Sequence, residues 1–208
     1  MMIESYKTLP LGTYLEILDA QKITEDLERQ VKVISLLSGL TESEVLNLPI
    51  MDYREMAGKS MFLTKSPDKY PRPADKYQVG GFTLIPTKDL AKITTAQYID
   101  FQHFAPGGDA TLAETLSCFL VPEGKNYNDG YDIVEVHNAI KSYLMVWDAL
   151  GLLAFFLSKL AGLMRVTQIS LSRLKRKKML SKEQEAKIGM LTEAVQAARM
   201  ALRTNGVG

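Results

Sequence analysis

Cysteine and histidine are scarce in this chain of 208 residues, which contains Cys118, His103 and His137 and no others. A single cysteine cannot form an internal disulfide, and this favours a reducing compartment such as a cytosol. Structural zinc ions are held mostly by four Cys or His ligands, so such scarcity argues against a zinc site. We therefore expect no bound metal.

The sequence also lacks the motifs of nucleophilic catalysis and of phosphate binding. It contains no Gly-x-Ser-x-Gly turn, no Gly-x-Gly-x-x-Gly loop and no Walker sequence. Cys118 lies in the apolar stretch Leu116–Val121, where burial would raise its pKa and lower its reactivity. We predict a protein that is not an enzyme and uses no cofactor.

Long uninterrupted apolar runs are missing as well. Residues 144–164 are the one candidate for a membrane span, but Asp148 and Lys159 interrupt them. A helix that crosses a bilayer needs about 20 mostly apolar residues, whereas ten uncharged residues separate these two charges. The N-terminus lacks the basic start and apolar stretch of a signal peptide. We expect a buried core helix and no membrane partner.

Acidic residues are absent between Ala149 and Lys182, and five basic residues lie close together in this window. They are Arg173, Lys175, Arg176, Lys177 and Lys178. In a helix these charges would wrap around the surface near its C-terminus, where cations complement the helix dipole. They are also our candidates for contact with a partner protein or with nucleic acid. Because the net charge of the chain is +1, attraction to nucleic acid would have to be local and is not favoured.

The N-terminal part of the chain has the pattern of several short helices. Thr24 is a candidate N-cap, and Gly39 is a candidate helix end. Thr41 and Glu44 have the spacing of a capping box, which predicts that a new helix begins there. Asp52 is a candidate cap for the helix that follows.

Proline and glycine become frequent in residues 64–92. The proline-rich residues 66–74 predict a linker. Gly80 and Gly81 lie between two short apolar stretches, which predicts a small β-hairpin near residues 76–85. A lone hairpin is marginally stable in water, so it should pack on a helical unit or on a partner.

Helical patterns return after the hairpin. Helices are expected to begin near Thr94, Asp109 and Asp132, because each of these side chains can cap a helix N-terminus. The helix after Asp109 should include Phe119, and a polar loop should follow from Pro122.

The predicted fold is mainly α: a helical bundle of about seven to eight helices with one small β-hairpin and a C-terminal helical hairpin. The helical hairpin would pair residues 150–179 with residues 182–203 in antiparallel fashion. Three units are expected, namely a helical unit at 1–63, the linker and β-hairpin at 64–92, and a second helical unit at 93–208.

Several short segments carry a resemblance to a known family. Leu9–Glu16, Ile34–Pro49 and the pair Asp52-Tyr53 resemble segments of tail assembly chaperones, which are small helical proteins of tailed bacteriophages. The segment Ile93–Gln102 is similar to longer relatives of the same group. The resemblance covers roughly residues 9–157. It implies a non-enzymatic protein that shields or templates aggregation-prone phage polypeptides.

Three hypotheses follow. The first is a phage assembly factor of the host cytoplasm that binds an extended segment of a tail-tube or tape-measure-like chain in apolar grooves between helices. It predicts an exposed apolar patch of roughly several hundred Å². The second is a structural subunit of the virion neck, tail or head interior, which predicts a symmetric homo-oligomer. The third is a nucleic-acid-binding helical module that uses the basic residues at 173–178.

Overall fold

The computed structural model describes residues 2–65 and 69–176, and it describes side-chain surroundings as far as Gly162. These residues form eight α-helices and three strands. The helices are α1 (Leu11–Ala20), α2 (Asp26–Ser38), α3 (Glu42–Leu46), α4 (Ile50–Ser60), α5 (Thr95–Phe104), α6 (Leu112–Ser117), α7 (Ile133–Tyr143) and α8 (Val146–Arg176). The strands are β1 (Tyr77–Val79), β2 (Phe82–Pro86) and β3 (Leu120–Pro122). The prediction of a mainly α fold with a small β-hairpin is confirmed.

Several helix ends lie where local side-chain chemistry predicts them. Gly39 ends α2 in the left-handed conformation, with φ of 75°, which glycine adopts without steric cost. Thr41 and Glu44 form the predicted capping box at the start of α3. The Asp132 side chain accepts a hydrogen bond from the backbone N–H of Val134 at the start of α7.

Three predicted caps are wrong. Helix α6 begins at Leu112, directly after Thr111 and without a side-chain cap, so Asp109 lies three residues before it and does not cap it. The residue before α2 is Glu25 rather than Thr24, and the acidic Asp26 and Glu28 occupy its first turn. Asp52 lies inside the first turn of α4, because that helix begins directly after Pro49. Carboxylates in a first turn stabilise a helix through its dipole, so these helices begin without a side-chain cap.

The predicted β-hairpin is present, and a third strand that was not predicted joins it. Gly80 provides the turn between β1 and β2 with φ of 59°. Strand β3 pairs antiparallel with β2, with Leu84 opposite Pro122. The expected helix through Phe119 therefore ends earlier, at Ser117. Long-range backbone pairing with β2 decides the conformation here, and local propensity does not contain that information.

Three hydrophobic clusters form the core of the described residues. The central cluster joins the sheet with α1 and with α5 to α8, and the Phe119 and Phe156 rings stack in it at 4.4 Å. The second cluster packs the start of α8 against α1 and α2. The third cluster is smaller and holds α3 and α4 against α2 through Val31, Ile34 and Val45.

The first part of helix α8, as far as Leu160, is largely buried, as the sequence predicts for a core helix. Ala149, Leu152, Phe156 and Leu160 are buried in the central cluster, and Leu150 is buried in the second. Among the described residues, no helix has the length and apolar character needed to cross a bilayer. The second arm of the predicted C-terminal helical hairpin, at 182–203, lies outside the described residues. The boundaries of the three predicted units stay a prediction.

Candidate functional site

A surface groove with a volume of about 1390 Å³ runs along α1. Its walls also include the start of the α1–α2 connection, the end of α7 and the short turn at residues 107–110. Gly12 lies where α1 approaches α7, and a Cβ atom at this position would be 2.9 Å from the Lys141 carbonyl oxygen. Because Gly12 has no Cβ atom, it permits the close helix contact that forms one wall. We call this feature the α1 groove.

The α1 groove has an apolar lining along one side of α1. Leu15 packs partly against the central cluster, and Ile23 packs partly against the second. Leu18 also lines the groove and is half-buried, but it belongs to none of the three clusters. Leu18 therefore offers apolar surface to a ligand rather than to the core.

The lysines of the α1 groove are paired with carboxylates of the chain. Lys22 Nζ lies 2.6 Å from Asp19 Oδ1, and Lys32 Nζ lies 2.7 Å from Glu42 Oε1. The hydrogen bond to Glu42 raises the pKa of Lys32, so this lysine stays charged at neutral pH.

A third lysine of the groove is paired as well. Lys141 Nζ lies 3.0 Å from Glu114 Oε1, whereas Glu16 is exposed and forms no ion pair with any described residue. Each lysine that lines the groove in the described part of the chain is thus paired with a carboxylate.

Cys118 is buried, as the apolar stretch around it predicts. This burial raises the pKa of the thiol to about 12. The Gln97 side-chain amide donates a hydrogen bond to the Cys118 carbonyl at 2.9 Å. The Tyr127 hydroxyl donates to Asp100 at 2.8 Å and so fastens the loop after β3 to α5. This network stabilises the fold around a neutral thiol.

The two histidines lie apart from the α1 groove. His137 is half-buried and meets the Phe104 ring edge-on at 5.8 Å, and burial lowers the pKa of His137. His103 is exposed on α5. Among the residues that the structure describes, no group of three or more His, Cys, Asp or Glu side chains could hold a metal ion.

The predicted basic contact residues lie at and beyond the end of α8. Arg173, Lys175 and Arg176 belong to its last turns, where the helix backbone is described but side chains are not. Lys177 and Lys178 lie outside the described residues. Their role in contact with a partner stays a prediction.

Exposed apolar side chains form a second feature of the surface. Among the side chains that the structure describes, eight large apolar ones are more than half exposed: Leu27, Leu46, Ile50, Met51, Met61, Ile99, Val134 and Tyr143. The surface is therefore not uniformly polar, although the area of a continuous patch stays a prediction. Sequence reasoning missed these residues and the groove, because helical periodicity does not show which apolar face remains uncovered.

Comparisons of the chain with protein-family models, with curated proteins and with solved structures give no match. Its function is therefore inferred from its own residues and geometry. Two features are available for this purpose: the α1 groove with its paired charges, and the exposed apolar side chains.

Proposed function

We propose that the chain is a non-enzymatic bacteriophage assembly protein, most like a tail assembly chaperone, that binds an extended phage polypeptide in the α1 groove. One observation carries the proposal: the groove combines an apolar lining with lysines that are paired with carboxylates of the chain. The partner would be a tail-tube or tape-measure-like chain. The protein would act in the host cytoplasm during assembly.

The chemistry of the groove favours a polypeptide over other ligands. A polyphosphate ligand is usually held by unpaired Lys or Arg side chains or by helix N-termini, and the groove lysines are already paired. Small-molecule sites are usually smaller and more enclosed, at about 300–1,000 Å³. An extended polypeptide can place apolar side chains on Leu18 and its neighbours while its backbone stays partly in water.

The family resemblance supports the same proposal. It covers roughly residues 9–157, and this range includes every lining residue of the groove, from Pro10 to Ser142. It implies a protein that shields aggregation-prone phage polypeptides. An apolar groove with a polar border is suited to that task because it would hold its ligand by reversible, non-covalent contacts.

The substitution Leu18→Glu tests the proposal in the full chain. A carboxylate on the apolar lining must be desolvated when the partner binds, so we expect at least tenfold weaker binding to the tail-tube or tape-measure polypeptide of the same phage, measured by calorimetry. The matched control is Ile99→Glu, because Ile99 is 57% exposed and lies outside the groove. Equal affinities for the two variants, or no affinity of the unmodified chain for either polypeptide, would refute the proposal.

A structural subunit of the virion is the alternative, and the exposed apolar side chains of α2 to α4 favour it because subunit interfaces bury such residues. Mass spectrometry of purified particles separates the two functions. A virion subunit should be present in stoichiometric amount, and a chaperone should be absent.

A further inference from the structure

Apolar side chains are exposed at the first turns of α2 and α4 and at the end of α3, three helices that pack together in the third cluster. Four residues there are each more than 60% exposed: Leu27, Leu46, Ile50 and Met51. The Tyr53 hydroxyl is 2.7 Å from Gln30 Oε1, and this contact holds the first turn of α4 beside α2. We call this surface the α2–α4 face.

Carboxylates accompany the apolar residues on the α2–α4 face. Glu25, Glu28 and Asp52 are exposed, and within the described part of the chain they form no ion pair. Helix dipoles account for acidic residues in first turns, but they do not account for the adjacent exposed Leu27 and Met51. The combination of apolar surface with unpaired negative charge is complementary to a basic polypeptide.

The chain itself contains a basic region of this kind. Residues 1–162 contain 15 Lys or Arg and 21 Asp or Glu, for a net charge of −6. Residues 163–208 contain 10 Lys or Arg and 3 Asp or Glu, for a net charge of +7. The overall charge of +1 is therefore the sum of two regions with net charges of opposite sign.

Helix α8 connects the core with the basic region of the chain. Val146 and Leu150, at its start, pack in the second cluster together with residues of α2. Phe156 and Leu160, further along, pack in the central cluster with the sheet and α6. Arg173 lies 13 residues beyond Leu160 in the same helix, or about 20 Å at 1.5 Å per residue.

We propose that the α2–α4 face binds the basic C-terminal region, residues 163–208, of a second copy of this chain. Because the two surfaces are different, the copies associate head to tail. Such contacts generate a ring if the rotation between copies closes and a filament if it does not. This surface is separate from the α1 groove, so the inference does not depend on the proposed polypeptide binding.

Charge reversal of each surface in the full chain tests the proposal. One variant carries Glu28→Lys with Asp52→Lys on the face, and the other carries Lys177→Glu with Lys178→Glu. Sedimentation velocity should show concentration-dependent association of the unmodified chain that weakens with added salt. Each variant alone should associate at least tenfold more weakly. An equimolar mixture of the two should recover part of the association, because the lysines introduced on one chain and the glutamates introduced on the other attract each other.

The matched control is Asp129→Lys with Glu135→Lys, which reverses two exposed carboxylates of the second helical unit, including one in the first turn of α7. It should associate like the unmodified chain. Far-UV circular dichroism verifies the fold of every variant, and Ile50→Ser with Met51→Ser tests the same face without changing charge. A chain that is monomeric at all concentrations would overturn the proposal. Association that survives both the charge reversals and the apolar substitutions would overturn it as well.

Discussion

The central cluster and the third cluster differ greatly in how completely they remove apolar side chains from water. The central cluster contains 21 buried residues drawn from the sheet and from five helices. The third contains three, and α4 contributes no buried residue to it. The central cluster therefore provides most of the burial that stabilises the fold. Helices α3 and α4 pack on α2 through a cluster with only three buried residues.

This difference indicates that the α2–α4 face keeps apolar side chains available for an interface. Full burial of a Leu, Ile or Met side chain stabilises by about 1.5–3 kcal/mol, and Leu46, Ile50 and Met51 keep most of their surface in water. The isolated chain does not use this stabilisation, so it is available to an interface. We interpret the central cluster as the scaffold and the α2–α4 face as a surface for association.

The largest expected effect comes from Phe156→Ala in the central cluster. Phe156 is 1% exposed and stacks on Phe119, so the substitution removes apolar burial and leaves a cavity. We expect the free energy of unfolding to fall by about 3–5 kcal/mol, as measured by urea denaturation. A loss below about 1 kcal/mol would contradict the view that this cluster is the scaffold, because such a small value is typical of surface sites.

A smaller effect is expected from Thr41→Ala at the start of α3. The Thr41 hydroxyl accepts a hydrogen bond from the Glu44 N–H, and the Glu44 carboxylate accepts one from the Thr41 N–H. Loss of an N-cap side chain usually costs about 1 kcal/mol, which urea denaturation can resolve. Thr41→Ser keeps the hydroxyl and should retain most of this stability. Equal losses in both variants would show that the capping box does not stabilise α3.

The pH dependence of stability should report on His137. Burial lowers its pKa in the folded state, so the unfolded chain binds a proton more readily. The free energy of unfolding should therefore fall as the pH drops below the ordinary histidine value of about 6.5. The substitution His137→Asn should flatten this part of the curve, as measured by urea denaturation between pH 5 and 8. A curve of unchanged shape would assign the effect to other groups.

The smallest effect on stability is expected for Ile50→Ser with Met51→Ser on the α2–α4 face. Both side chains are more than 60% exposed, so the free energy of unfolding should change by no more than about 0.5 kcal/mol per site. Self-association should nevertheless weaken at least tenfold by sedimentation velocity. A large loss of stability without a change in association would contradict the interpretation of the α2–α4 face as a surface for association.

Sequence patterns predicted the parts of the fold that depend on neighbouring residues. Gly39 and Asp132 mark helix ends because their own backbone or side-chain chemistry acts within a few positions. Strand β3 was not predicted from the sequence. Leu120–Pro122 becomes extended because it pairs with β2, which lies more than 30 residues earlier in the chain. For the same reason, residues such as Leu18 and Lys141, which line one groove from α1 and α7, could not be brought together in advance.

Local chemistry along the chain was enough to establish the helical class, the hairpin at Gly80 and the division into an acidic and a basic region. These properties follow from short-range sterics, capping and charge counting. Tertiary packing alone decided that Leu18 lines a groove, that Lys32 pairs with Glu42 on another helix, and that Ile50 and Met51 stay in water. Burial is set by which distant surfaces meet, and that depends on the packing of the whole chain rather than on any one segment.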